Sequence, residues 1–184
     1  MAKLVTKTYA DALFTLATEE KRVDEIYDEI LVLKEVLAQN PDLSKLMNHP
    51  NIDKEEKLNT ISGIFKGRVS DEVLGFLIQI VTKDRYNEID GILDCFIDEV
   101  KDYKKIGVAY VITPNELSEA QKARVKKRLL ETAGYAEMEI NYSIDESLIG
   151  GMKIRIGDRV VDSSVSTKLN RLASSLRKLQ LDNI

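Results

Sequence analysis

Ile106-Gly107-Val108-Ala109-Tyr110-Val111-Ile112-Thr113-Pro114 is the stretch on which the reading of the fold turns. Val108, Tyr110 and Ile112 alternate with Gly107, Ala109 and Val111, giving a short run that is apolar on both sides and stopped by Pro114, as in a buried strand. From Thr8 to about Tyr103 the apolar residues before it recur at helical spacing. The period changes from 3.6 to 2 at Ile106, so a helical half meets a half that contains strands.

Working back towards the amino terminus, Ile89, Ile92, Leu93, Phe96, Ile97, Val100 and Tyr103 form the clearest helical stripe, with Lys101, Lys104 and Lys105 near its carbonyl end. Ser70, followed by Asp71 and Glu72, opens a fifth helix through Val73, Leu74, Leu77, Ile80 and Val81. Phe76 and Ile78 lie off that stripe, so this helix is apolar around much of its circumference and needs either a central position or a partner. Asp53 with Glu56 predicts an acidic capping box for a fourth helix that ends near Gly67. A short helix around Leu43, Leu46 and Met47 stops before Pro50, and a longer one from Val23 to Leu37 ends at Asn40-Pro41. The first helix, beginning near Thr8, places Tyr9, Leu13, Leu16 and Ala17 along one side.

Working forward, Ser118 and Gln121 predict a capping box for a helix that carries Val125, Leu129 and Leu130 and stops at Gly134. Met138, Ile140, Tyr142 and Ile144 then alternate with polar residues, as on a strand with one packed and one wet face. Met152, Ile154 and Ile156 continue the alternation, and Gly157-Asp158 predicts a hairpin to Arg159–Val161. Asp162, Ser163 and Ser164 offer caps to a last helix striped by Val165, Leu169, Leu172, Ala173, Leu176 and Leu179. The expected fold class is α+β: a six-helix bundle over residues 1–105, then a small α/β domain over 106–184 with a mainly antiparallel sheet and two helices.

The 184 residues, 43% hydrophobic and 32% charged, are ample for a packed core and unlike a disordered chain. Residues 1–105 carry 15 basic and 21 acidic side chains and residues 106–184 carry 12 and 10, so the charge divides where the period does. The net charge of -4 is no overall footprint for a polyanion. No run is long and apolar enough to span a bilayer, and the leading residues show neither an export core nor a transit region, which leans towards a bacterial protein that is not exported. One cysteine, Cys95, allows no internal disulfide and fits a reducing compartment.

Reaction machinery is sparse. His49 and Cys95 are single copies of their types, a set too small for a His/Cys metal site, and a thiolate dyad between them is a weak reading beside an exposed imidazole and a buried thiol. Neither phosphate-cradling glycine pattern is present, and Gly150-Gly151 precedes a strand, where glycines mark a bulge or a close backbone approach. No catalytic, cofactor-binding or metal-binding residue is expected. Lys122, Arg124, Lys126, Lys127 and Arg128, with Lys153, Arg155 and Arg159, form the one basic concentration and suggest an RNA-binding module as the second reading, against a solvated helix face. The residues alone lead to a two-domain adaptor whose surplus apolar surface on the first and fifth helices suits an amphipathic partner helix.

The stretch Ile149-Gly150-Gly151-Met152-Lys153-Ile154-Arg155-Ile156-Gly157-Asp158-Arg159-Val160-Val161-Asp162-Ser163-Ser164-Val165-Ser166-Thr167-Lys168-Leu169 resembles the carboxy-terminal signature of the F-type ATP synthase delta subunit family, relatives of the mitochondrial oligomycin-sensitivity-conferring protein. Tyr9-Ala10-Asp11-Ala12-Leu13-Phe14, Lys83-Asp84-Arg85, and Pro114 ahead of Leu117-Ser118 are similar to the same family, so the likeness runs along essentially the whole chain. The resemblance implies a non-catalytic stator subunit on the cytoplasmic face of the bacterial cell membrane, one copy per complex. Its helical domain would grip alpha-subunit N-terminal helices, which on this sequence points to Tyr9, Ala12, Leu13, Leu16, Leu74, Leu77 and Ile78. Its second domain would join the b subunits of the peripheral stalk, with Leu169, Leu172 and Leu176 on the last helix as the expected contacts. Nucleic acid, cofactors and direct membrane insertion play no part in that picture.

Overall fold

The computed structural model describes residues 2–181, and the side-chain surroundings of residues 5–174. The chain divides into two compact units, Met1–Tyr103 and Lys104–Ile184.

The first unit consists of α1 (Ala2–Glu19), α2 (Val23–Gln39), α3 (Pro41–Met47), α4 (Lys54–Phe65), α5 (Asp71–Thr82), a single 3-10 turn (Tyr86–Glu88) and α6 (Ile89–Tyr103). The apolar stripe of α6 is its core: Ile92, Leu93, Phe96 and Val100 are fully buried among Leu13, Ala17, Ile26, Ile30, Leu33, Val73, Leu77 and Ile80. Helix α1 packs along α6, α2 crosses α6, and α4 pairs with α5. α1 starts at Ala2 rather than near Thr8 because packing extends it: Thr6 lies so close to Gly91 of α6 that a Cβ there would meet the threonine methyl at 3.3 Å. Asp53 does cap α4, but by accepting from the Lys54 backbone N–H at 2.9 Å, one residue on, rather than from the Glu56 N–H, so the predicted capping box is not formed. Gly67 takes the left-handed conformation, with φ of 75°.

The second unit contains β1 (Ile106–Thr113), α7 (Glu119–Ala133), β2 (Glu137–Ile144), β3 (Lys153–Ile156), β4 (Arg159–Asp162) and α8 (Val165–Leu181). Both halves of the Ser118–Gln121 capping box are made, and Gly134 closes α7 in the left-handed region at φ 73°. The sheet order is β2-β1-β3-β4. The sheet is mixed rather than mainly antiparallel: β1 and β2 run parallel over eight register pairs, from Ile106↔Glu137 to Thr113↔Ile144, while β3 and β4 add antiparallel ladders. The cause is α7, whose length carries the chain back to the start of the sheet, the connection parallel neighbours require.

Ala109, Val111 and Met138 are buried with Leu129 of α7, and Ile140, Tyr142, Ile154 and Ile156 pack around them on the same face. The wet-and-packed alternation of β2 holds through Tyr142 and ends at Ile144, which is exposed. Gly157 at φ 53° supplies the turn between β3 and β4. At Gly151, with φ of 83°, an added Cβ would lie 2.5 Å from the Ser163 carbonyl oxygen. The glycine pair of the sequence is thus the place where the 150–151 backbone passes against the entry to α8.

Candidate functional site

Helix α1 buries Ala10, Leu13 and Ala17, one step of three and one of four, and this stripe satisfies the core. Its next face over is also apolar: Tyr9 and Leu16 are half-buried and Ala12 is exposed. Helix α5 likewise commits Val73, Leu77, Ile80 and Val81 to the core. Because α1 packs chiefly on α6 and α5 chiefly on α4, the shoulders of α1 and α5 stand apart and leave a groove. Its volume is about 490 Å³.

The α1 wall of this groove is Tyr9, Ala12, Leu13 and Leu16, the four residues to which the family resemblance points on that helix. The α5 wall is rotated from expectation. Asp71, Gly75, Gln79 and Lys83, at steps of four, line it together with Glu72 and Phe76. Leu77 is 1% exposed inside the core, and Leu74 and Ile78 are half-buried outside the groove lining. Apolar content marks the face a helix gives to its own core as readily as the face it offers a partner, and on α5 the core takes the stripe. Gln79, polar in an otherwise apolar helix, and Phe76, off the core stripe, are the residues in the sequence that mark this face, and both line the groove.

The start of α5 is braced from α2. Glu29 accepts hydrogen bonds from the Ser70 backbone N–H at 3.0 Å and from the Ser70 hydroxyl at 2.7 Å, while Ser70 Oγ caps the Val73 N–H. Arg22 donates to Glu72 at 2.8 Å and to Glu25 at 2.7 Å. The Glu72 carboxyl is held below its ordinary value, first by its own backbone N–H and then by the Arg22 charge, and the Arg22 guanidinium is raised, first by Glu25. These contacts fix the α5 wall at its acidic end, where Asp71 and Glu72 stand, whereas Lys83 marks the opposite end.

In the second unit α8 is entered through a polar knot. Asp162 accepts from the Ser164 N–H at 2.9 Å and the Thr167 hydroxyl at 3.0 Å, and Ser164 Oγ accepts from the Thr167 N–H. Those bonds, Ser164 foremost, hold the Asp162 carboxyl below its usual range. Beyond the knot the predicted stripe does not pack: Val165, Leu169 and Leu172 are 37%, 56% and 61% exposed. The side chains of Leu176 and Leu179 lie outside the described residues.

The basic residues do not assemble into one surface. Helix α7 covers the Ala109/Val111 face of the sheet, while Lys153 and Arg155 alternate to the other face, where the Arg155 guanidinium stacks on Tyr110 at 4.7 Å. On α7 itself Lys122 pairs with Glu119 at 2.8 Å and Arg128 with Glu131 at 3.6 Å. His49 is exposed between α3 and α4, its Nδ1 accepting from the Asn51 N–H, and Cys95 packs at the margin of the α6 core.

Residues 5–176 match the family model described as ATP synthase delta (OSCP) subunit. The chain is 53% identical over 181 residues to ATP synthase subunit delta of Lachnoclostridium phytofermentans, covering 98% of this chain and all of that protein. It is 34% identical over 172 residues to ATP synthase subunit delta of Bacillus velezensis, covering 94% of each. Among solved structures, a chain of the Toxoplasma gondii mitochondrial ATP synthase hexamer superposes with a TM-score of 0.70 over 93% of this chain and 96% of that one, at 19% identity, a likeness of fold.

Proposed function

Because the chain belongs to the ATP synthase delta (OSCP) subunit family, and is as such a peripheral-stalk component of an F-type ATP synthase, we propose that it is the non-catalytic link through which the catalytic head is held against rotation. The six-helix bundle of residues 1–105 takes an N-terminal helix of an alpha subunit into the α1/α5 groove. The domain of residues 106–184 joins the b subunits through the α8 stripe, where Leu169 and Leu172 stand in solvent and Leu176 continues the same spacing. One copy per complex sits peripherally on the cytoplasmic side of a bacterial membrane; among the described residues no helix is long and apolar enough to cross one.

The observation that carries this reading is the groove. A cleft walled by Tyr9, Leu13, Leu16 and Phe76 along a 12-residue helix, about 18 Å at the usual rise, suits three turns of an amphipathic helix laid in lengthwise. Mechanically, rotation of the central shaft yields ATP only if the head stays still, so the linking subunit must bear torque through contacts that outlast a turnover. Buried apolar side chains do this without chemistry of their own. Membranes stripped of this protein should keep ATP hydrolysis and lose ion pumping coupled to it, with recovery on adding the protein back; coupled pumping that persists without it rejects the proposal.

A further inference from the structure

Gly75 occupies the middle of α5, in ordinary helical conformation and exposed, and a Cβ built on it would meet nothing within 4 Å. The folded protein therefore gains nothing from a glycine there. Glycine in a helix interior is destabilising relative to alanine. The residue that would relieve that cost fits the unliganded molecule without any adjustment. What sets Gly75 apart is its place: it lines the α1/α5 groove, and the α1 wall contributes another small side chain, the exposed Ala12.

We infer that Gly75 is the close-approach point of the groove, where the backbone of the docked helix comes down onto α5 in the space a side chain would fill. Large side chains of the partner then straddle this point, one towards Tyr9 and Leu16 and one towards Phe76, and the partner carries a small residue where it crosses Gly75. Gly75 is a specificity-determining residue, tuned to the complex at the expense of the free subunit. The inference rests on the proposed occupancy of the groove by an alpha-subunit helix.

The test is a substitution series in the full chain, titrated with a synthetic peptide of the N-terminal segment of the alpha subunit from the same organism. Helix propensity ranks alanine and leucine above glycine, so Gly75→Ala should raise the thermal midpoint by about 2 °C. Affinity should run the other way, falling at least about fivefold for Gly75→Ala and further for Gly75→Leu as the inserted carbons overfill the contact. Gly63→Ala is the control: this glycine is also exposed within a helix with nothing within 4 Å, and it lies outside the groove, so stability should rise with affinity unchanged. Peptide binding by Gly75→Ala and Gly75→Leu at wild-type strength overturns the close approach. Failure of Leu16→Asp to weaken the peptide, or no binding by the unaltered protein, overturns instead the occupancy on which it rests.

Discussion

The two units of this chain spend their apolar residues differently. In Met1–Tyr103 the stripes seal a long core around α6, and α1 and α5 each leave a second face at a groove. In Lys104–Ile184 the fully buried set is small, centred on Ala109, Val111, Leu129 and Met138, and much of the remaining apolar surface, including Ile149, Val160, Leu169 and Leu172, lies in solvent. The first unit seals its core and keeps a cleft between α1 and α5, as the proposed docking of a helix requires. The second leaves apolar side chains exposed on a helix and short strands, the surface through which it is proposed to join the stalk.

The two units differ most in what their buried positions can lose. Phe96→Ala, which empties a fully buried position on α6, should destabilise the first unit by about 3–5 kcal/mol, measured by denaturant unfolding, and should abolish peptide binding through loss of the groove walls. In the second unit the vulnerable point is a backbone contact. Gly151→Ala places a methyl against the Ser163 carbonyl at positive φ and should cost about 2–3 kcal/mol, read by hydrogen exchange across β3, β4 and the start of α8, while exchange in the first unit is unchanged.

These two positions also show what a sequence reveals. The α6 stripe from Ile89 to Val100, the Ser118–Gln121 box and the switch of period at Ile106 are local patterns that appear in the structure, whereas Tyr103 at the end of the stripe and Tyr110 on the strand expected to be buried on both sides are exposed. The parallel pairing of β1 with β2 is a long-range choice, inferable from the helix-length connection but carried by no residue of either strand. On α5 the expected contacts Leu74, Leu77 and Ile78 are not the groove lining because core and partner faces are both apolar; Phe76, off the core stripe, and the polar Gln79 are the legible signs of the face that lines it, with Gly75 beside them. The exposure of the α8 stripe was equally hidden, since Val165, Leu169 and Leu172 have the spacing of a packed helix.

A smaller effect is expected from a carboxyl of the first unit. Glu99 on α6 is pushed above its ordinary 4.5, first by desolvation and then by the neighbouring Asp11 carboxyl on α1, with Lys7 opposing and Asp102 adding to the shift. A carboxyl raised in the folded state disfavours folding once it is charged, so its cost is absent below the ordinary value and grows as pH rises through the folded one. Glu99→Gln should therefore stabilise the protein at neutral pH, and the gain over wild type should vanish as pH falls below 4.5; equal gains at both ends of a pH series of thermal midpoints would contradict this. Smallest of all, Leu172→Ala should shift unfolding by under about 0.5 kcal/mol because the side chain is already in solvent, yet it should weaken capture of the b subunits.

The central claim is that this subunit holds the head passively, by helix-in-groove contact. The most direct measurement joins the two covalently: Ala12→Cys in a Cys95→Ser background, paired with a cysteine on the alpha-subunit N-terminal helix in the assembled synthase. The account predicts that oxidation forms the cross-link in high yield and that ATP synthesis continues at the rate of the uncross-linked enzyme. No cross-link at Ala12, or a cross-link that stops synthesis, would contradict it.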